Sequence, residues 1–180
     1  MTRDRGTAAV EMAIALLVLL LIVLGTYEYG TAFVDRNAMA NAAREGARAG
    51  AAAGDFDPAG PDNDADCVVI EAAAGALQGM QGNTVEELWI YQSDVAGTVS
   101  GTRQVYRSPV GSETVHLNCG GSAWHRATAG WPPANRPLGS NQWLGVKLIV
   151  DHTWKTGFAI WNGTTTWEED VIMRLEPAAG

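Results

Sequence analysis

The 180-residue chain has a formal net charge of −8, with 12 Lys and Arg against 20 Asp and Glu. No basic stripe or cluster is present, which argues against a nucleic-acid partner. Apolar residues make up 47% of the chain, but Leu, Ile and Val crowd into the first 24 positions, leaving room for one domain of modest core behind an N-terminal arm.

The chain opens on Arg3-Asp4-Arg5-Gly6-Thr7-Ala8-Ala9-Val10-Glu11 and runs at once into an uncharged stretch, Met12 to Tyr27. Counted from Thr7, the run is 21 residues with one charge, about 31 Å of helix, close to the hydrocarbon thickness of a bilayer. Glu11 is the exception that needs a reason. A carboxylate in hydrocarbon costs about 2.5–3.5 kcal/mol at mid-helix and less near an end. A cleaved secretory signal is a poor reading, because the small-x-small candidate Ala38-Met39-Ala40 lies over ten residues beyond the apolar run. An uncleaved signal anchor fits the length but leaves Glu11 unexplained.

The short leader, Gly6, Thr7 and Glu11 together resemble the type IV prepilin processing site, where the leader is cut after the glycine. Such a cut would put a new ammonium on Thr7, one helical turn before Glu11. The carboxylate could then meet its own amine or a neighbouring subunit's, near the positive end of the helix dipole. A pair of that kind stabilises little but is well suited to fixing register between helices. Arg3 and Arg5 precede the span, while Arg36, Arg44 and Arg48 follow it, so the positive-inside count does not decide orientation. The short leader and the cysteines of the larger part place the N-terminus in the cytoplasm and the domain outside.

Beyond the span come Glu28-Tyr29-Gly30 and then an alanine-rich stretch, so residues 7–53 are expected to form one long helix. Tyr27 and Tyr29 suit an interfacial belt. Ala38, Ala42, Gly46, Gly50 and Gly54 recur every four residues, a smooth line where another backbone could approach. A high-alanine sequence also produces such a line by chance. Ala8-Ala9-Val10-Glu11, Glu28-Tyr29-Gly30 and Asn41-Ala42-Ala43-Arg44-Glu45-Gly46-Ala47-Arg48 look like the TadE-type proteins, TadE and its relative TadF, of tight-adherence (Flp) pilus systems. The resemblance covers roughly residues 5–48 and recurs faintly at Arg174-Leu175-Glu176-Pro177. It implies a pseudopilin: a single-pass membrane protein processed by a prepilin peptidase and working with other pilin-like subunits in pilus assembly.

The chain is accordingly divided into a leader (1–6), the membrane and extended helix (7–53), an Asp/Gly/Pro linker (54–66) and an extracytoplasmic domain (67–180). Asp62-x-Asp64-x-Asp66 resembles the start of a calcium loop, but the pattern then needs Gly at Cys67 and Glu at Ala73. Those aspartates are read as solvating the linker and capping the next helix. That helix is expected from about Ala65 to Leu77, with Cys67, Ile70, Ala74 and Leu77 on one face. Strand signals follow at 85–91, 104–106, 114–117 and 145–153, then at 157–161 and 165–175 joined by an Asn162-Gly163 turn. Residues 120–139 read as loop. The fold expected is α+β and pilin-like, a second helix packed on a small antiparallel sheet.

Cys67 and Cys119 lie 52 residues apart without a CxxC or a histidine at ligand spacing. In an exported chain the pair reads first as a disulfide, with two buried thiols as the alternative. No catalytic motif, metal set or cofactor signature is found, and the three histidines are scattered. All seven tryptophans fall in the domain. Trp89, Trp154 and Trp161 on strands are expected in the core, and Trp124, Trp131 and Trp143 in loops are the contact candidates. The leading expectation is a minor pilin-like assembly subunit. The alternative is a signal-anchored binding module using those loop tryptophans on a glycan or protein.

Overall fold

The computed structural model describes residues 3–56, 65–80, 82–107, 116–119, 122–158 and 161–176. One helix, α1 (Arg3–Ala53), runs unbroken for 51 residues, about 76 Å. It ends at Gly54, whose φ of +54° suits a residue without Cβ and whose N–H caps the Gly50 carbonyl at 3.0 Å. The second helix, α2 (Ala65–Leu77), occupies the expected range.

Six strands follow: β1 (Thr84–Ser93), β2 (Val99–Arg107), β3 (His116–Cys119), β4 (Ser122–Ala129), β5 (Trp143–Thr153) and β6 (Thr164–Arg174). They form one antiparallel sheet in the order β3-β4-β2-β1-β5-β6. Leu88 and Ile90 of β1 and Leu144, Val146, Leu148 and Val150 of β5 alternate onto one face. Both helices lie on that face, α1 against β5 and β6 and α2 beside α1. Where β1 pairs with β5, Tyr91 stands opposite Gly145. A Cβ on Gly145 would lie 2.2 Å from the tyrosine ring, so only glycine lets the ring cross that strand. The Tyr91 hydroxyl reaches Asp170 of β6 at 3.1 Å. Burial, with the Asp170 carboxylate beside it, pushes the phenol pKa upward.

Two of the expected elements differ. The segment 120–139, read as loop, contains β4, which sits between β3 and β2 and pairs with both. Its sequence, Ser-Ala-Trp-His-Arg-Ala-Thr-Ala, is weak in β-branched residues, and its neighbours rather than its own propensity hold it in the sheet. Of the segment 157–161, the described residues 157, 158 and 161 contribute an isolated bridge between Phe158 and Trp161 rather than a strand. Asn162-Gly163 therefore does not join two strands as a two-residue turn. It belongs to the longer β5–β6 connection, closed by the Thr153–Thr164 pair, where Gly163 takes a φ of +73°. Residues Glu168 to Asp170 lie on β6, an edge of the sheet, where a run of charge discourages further pairing.

Cys67 of α2 and Cys119 of β3, separated by 52 positions in sequence, form a disulfide with Cα atoms 5.0 Å apart. On the chain-entropy model a loop of that size contributes about 4 kcal/mol. The first turn of α2 holds a second cross-link. Asp66 does not solvate the linker as expected; it is wholly buried. It accepts from the Arg136 guanidinium, the Tyr106 hydroxyl and, at 2.6 Å, the Gln104 amide. Arg136, also fully buried, donates to the Trp131 carbonyl and lies 4.6 Å from the centre of the Trp131 ring. The other two members of the acidic triplet, Asp62 and Asp64, lie outside the described residues.

Removing one partner of a buried pair strands the other charge. Arg136→Met is expected to lower unfolding stability by about 3–5 kcal/mol, read by chemical denaturation of the full chain in detergent. Adding Asp66→Asn to that variant should recover part of the loss, since the charge then disappears while hydrogen-bonding groups remain.

Candidate functional site

The features singled out from the sequence converge on α1, which has two halves of opposite character. From Val10 to Val23 its large apolar side chains are all exposed, between 36% and 64%. The helix is long and apolar enough to cross a membrane, with a mean hydropathy of 2.8 over its best window. Gly6, Thr7 and Glu11 are exposed at the start of this half. Thr7 and Glu11 are one turn apart and so share a helix face.

The outer half is a core element. Buried positions fall at 25, 28, 32, 35, 39, 42, 43, 46, 47, 50, 51 and 54, the alternating three- and four-residue spacing of a helix with one covered stripe. Ala42, Gly46 and Gly50 lie on it. A Cβ on Gly46 would come 3.4 Å from both Ala73 and Val146, and one on Gly50 only 2.7 Å from Val69 and 3.1 Å from Leu144. The smooth Ala/Gly line is thus filled by the chain's own α2 and β5. The reading of that line as a surface for neighbouring subunits is corrected: close approach does occur there, but within the molecule.

The end of the stripe next to the apolar half carries charge. Glu28 is fully buried and accepts from the backbone N–H groups of Lys155, at 3.2 Å, and Thr156. Burial alone would raise its pKa, but the hydrogen bonds to Thr156 and Lys155, with His152 nearby, hold the carboxyl below its ordinary range. Two turns on, Asp35 accepts from the Asn83 amide at 2.8 Å and lies 3.2 Å from Nδ1 of His152. Asn83 in turn accepts from the Thr153 N–H at 3.0 Å, tying the ends of β1 and β5 to the helix. The His152 ring is buried, stacked on Trp167 with centroids 4.1 Å apart and edge-on to Trp154. Beside these residues a cleft of roughly 720 Å³ opens between Tyr27, Gly30 and Val34 of α1 and Gly79, Gly82 and Lys155. Sequence reasoning passed over Glu28, Asp35 and His152 as a group. The signal was available: two acids seven residues apart on an otherwise small, apolar stripe, and a histidine in phase with the inward residues of β5.

The tryptophans are placed against expectation. Trp124 and Trp131, proposed as loop contacts, are only 5% and 3% exposed and belong to the core. Trp124 lies on β4 rather than in a loop, and Trp131 is held under Arg136. Trp143 is half-buried at the start of β5. Trp89, expected in the core, points to the other face of the sheet, between Arg103 at 4.1 Å and Lys147 at 5.0 Å. Its N–H donates to Glu87 at 2.5 Å. Trp154 and Trp161 are half-buried rather than core residues.

Filling the stripe with a side chain should separate helix from domain. Gly50→Leu is expected to cost about 1–3 kcal/mol by overpacking against Val69 and Leu144, measured by chemical denaturation. Gly30→Ala, with nothing within 4 Å of its Cβ position, should be neutral or slightly stabilising.

Docking is also expected to depend on pH. Burial, aided by Lys155, outweighs the opposing pull of Asp35 and Glu28 and lowers the His152 pKa from its ordinary 6.5. Between the depressed native value and 6.5, the unfolded chain binds a proton that the native chain does not. Stability is therefore full above that window and falls as pH drops through it. Thermal unfolding between pH 7.5 and 5.5 should show this slope, and His152→Gln should flatten it. Glu28 acts in the same direction but below its ordinary 4.5, outside the range measured.

No curated protein and no solved structure matches the chain. Residues 6–48, from Gly6 through the apolar half of α1 to Arg48, match the family described as TadE-like protein.

Proposed function

We propose that this chain is a membrane-anchored, minor pilin-like subunit needed to assemble a pilus of the tight-adherence (Flp) type. A prepilin peptidase cuts it between Gly6 and Thr7, and it acts by packing helix against helix with other pilin-like subunits. The observation that carries this reading is the TadE-like match over 6–48, which coincides with a helix whose apolar half is exposed, with no covering partner among the described residues. Exposed apolar surface of that extent calls for lipid or neighbouring helices. The N-terminus lies in the cytoplasm, and the domain outside, where a Cys67–Cys119 disulfide persists. The chemistry is structural; the chain is proposed to be no enzyme and to need no cofactor. Burial of Trp124 and Trp131 weakens the alternative of a tethered module binding a glycan or protein through loop tryptophans.

The cut creates the amine that Glu11 requires. Mass analysis of the membrane-extracted protein is expected to show a chain starting at Thr7; a chain retaining the leader through Gly6 would contradict the reading. Glu11→Ala should leave cleavage intact while piliation is lost, and normal piliation in that variant would remove the assembly role of the carboxylate.

A further inference from the structure

The β5–β6 connection meets α1 at an informative height. Trp161 lies against Gly25, where an added Cβ would sit 3.0 Å from the indole. The same ring meets Tyr29 edge-on, with centroids 6.2 Å apart. Lys155 and Thr156 donate their backbone N–H groups to Glu28. Gly25 is about 27 Å along the helix from Thr7, and a hydrocarbon core is about 30 Å thick. A span starting at Thr7 puts Gly25 just inside the outer boundary. One starting at Met12 would draw the connection deeper still. Wherever the span begins, this part of the domain is brought to the lipid.

Its chemistry suits that place. Phe158 is 40% exposed, and Tyr27 and Tyr29 of α1 are 55% and 62% exposed. Aromatic residues of this kind collect at the level of lipid headgroups. Backbone polar groups near hydrocarbon must find partners within the protein, and here several do. Besides the two amides on Glu28, the Trp161 N–H donates to the Phe158 carbonyl at 2.9 Å and the Trp154 N–H to the Gly163 carbonyl at 3.2 Å. The Phe158 N–H donates to the Thr156 hydroxyl at 3.4 Å. Lys155 is exposed at the same level, where a cation can meet phosphate.

We infer that the β5–β6 connection, through Phe158 and Trp161, rests in the headgroup–acyl boundary of the phospholipid bilayer and seats the domain on the membrane. The inference rests on the reading of α1 as a membrane span, and its test separates the two. The full chain, its native cysteines engaged in the disulfide, takes one nitroxide at Phe158→Cys, Leu17→Cys or Val95→Cys in phosphatidylcholine–phosphatidylglycerol nanodiscs. Val95 is 73% exposed in the β1–β2 turn, at the opposite end of the sheet. Accessibility to oxygen relative to a water-soluble nickel complex then reports depth. Position 17 should lie deepest and position 95 in water. Position 158 should lie between them, its ratio several-fold above that of 95. A ratio at 158 equal to that at 95, with 17 deep, overturns the inference and leaves the span standing. Equality of all three overturns both. As a second measurement, lipids brominated high on the acyl chain should quench the parent chain more than Trp161→Phe; equal quenching counts against the inference.

Discussion

The structure depends on one helix whose two halves are covered differently. α1 is continuous between them: the large apolar side chains of its inner half are exposed, while its outer half has a single covered stripe. The switch occurs at Gly25, the first buried position among the described residues. From there outward, α2 and β5 cover the stripe. The domain is therefore built on the arm rather than tethered to it. Removing the outer half of α1 would uncover Val69, Ala73, Leu144 and Val146, fully buried residues that face Gly46 and Gly50.

Two sets of contacts act at opposite ends of this arrangement. At the end far from the apolar half of α1, Asp66 with Arg136 and Cys67 with Cys119 fix α2 to the sheet and to the segment before β5. The C-terminal segment closes over the same end: the Glu176 N–H donates to the Ala51 carbonyl at 3.1 Å, and the Leu175 N–H to the Gln142 carbonyl at 3.0 Å. At the other end, Glu28, Asp35 and His152 hold the helix to the ends of β1 and β5. His152, its pKa lowered by burial, makes that contact weaken as pH falls.

Much of this was legible in the sequence. The apolar run, the long helix and the range of α2 follow from periodicity and composition, because in each case one local pattern dominates. The inward placement of Cys67 follows in the same way. What failed depended on neighbours. β4 has little strand propensity and exists because β2 and β3 flank it. Asp66 looked like one of a row of solvated aspartates, and only its partner 70 residues away, Arg136, explains why it is buried. The tryptophans were misassigned for the same reason: loop and strand membership was known only approximately, and the face of the sheet not at all. Within the candidate site, the Ala/Gly line was found correctly as a close-approach surface, and its partner was wrong. A spacing of four residues states that something comes near; it does not state whether that something belongs to the same chain.

That last distinction bears on how such a subunit could meet others. With Gly46 and Gly50 filled internally, the exposed side of the outer helix presents Asn41, Arg44, Glu45 and Arg48, a polar face with little to offer in close packing. The unpartnered apolar surface lies lower, along the inner half of α1 with Tyr29 and Phe33 just above it. Helix-to-helix association would then be concentrated in the membrane half, where hydrophobic burial gives no preference of one register over another. Discrimination must come from a polar group set among apolar ones, and Glu11 is the carboxylate in that half. In the proposed assembly its cost in hydrocarbon would make it useful, since only a register that supplies a cation would remove the penalty.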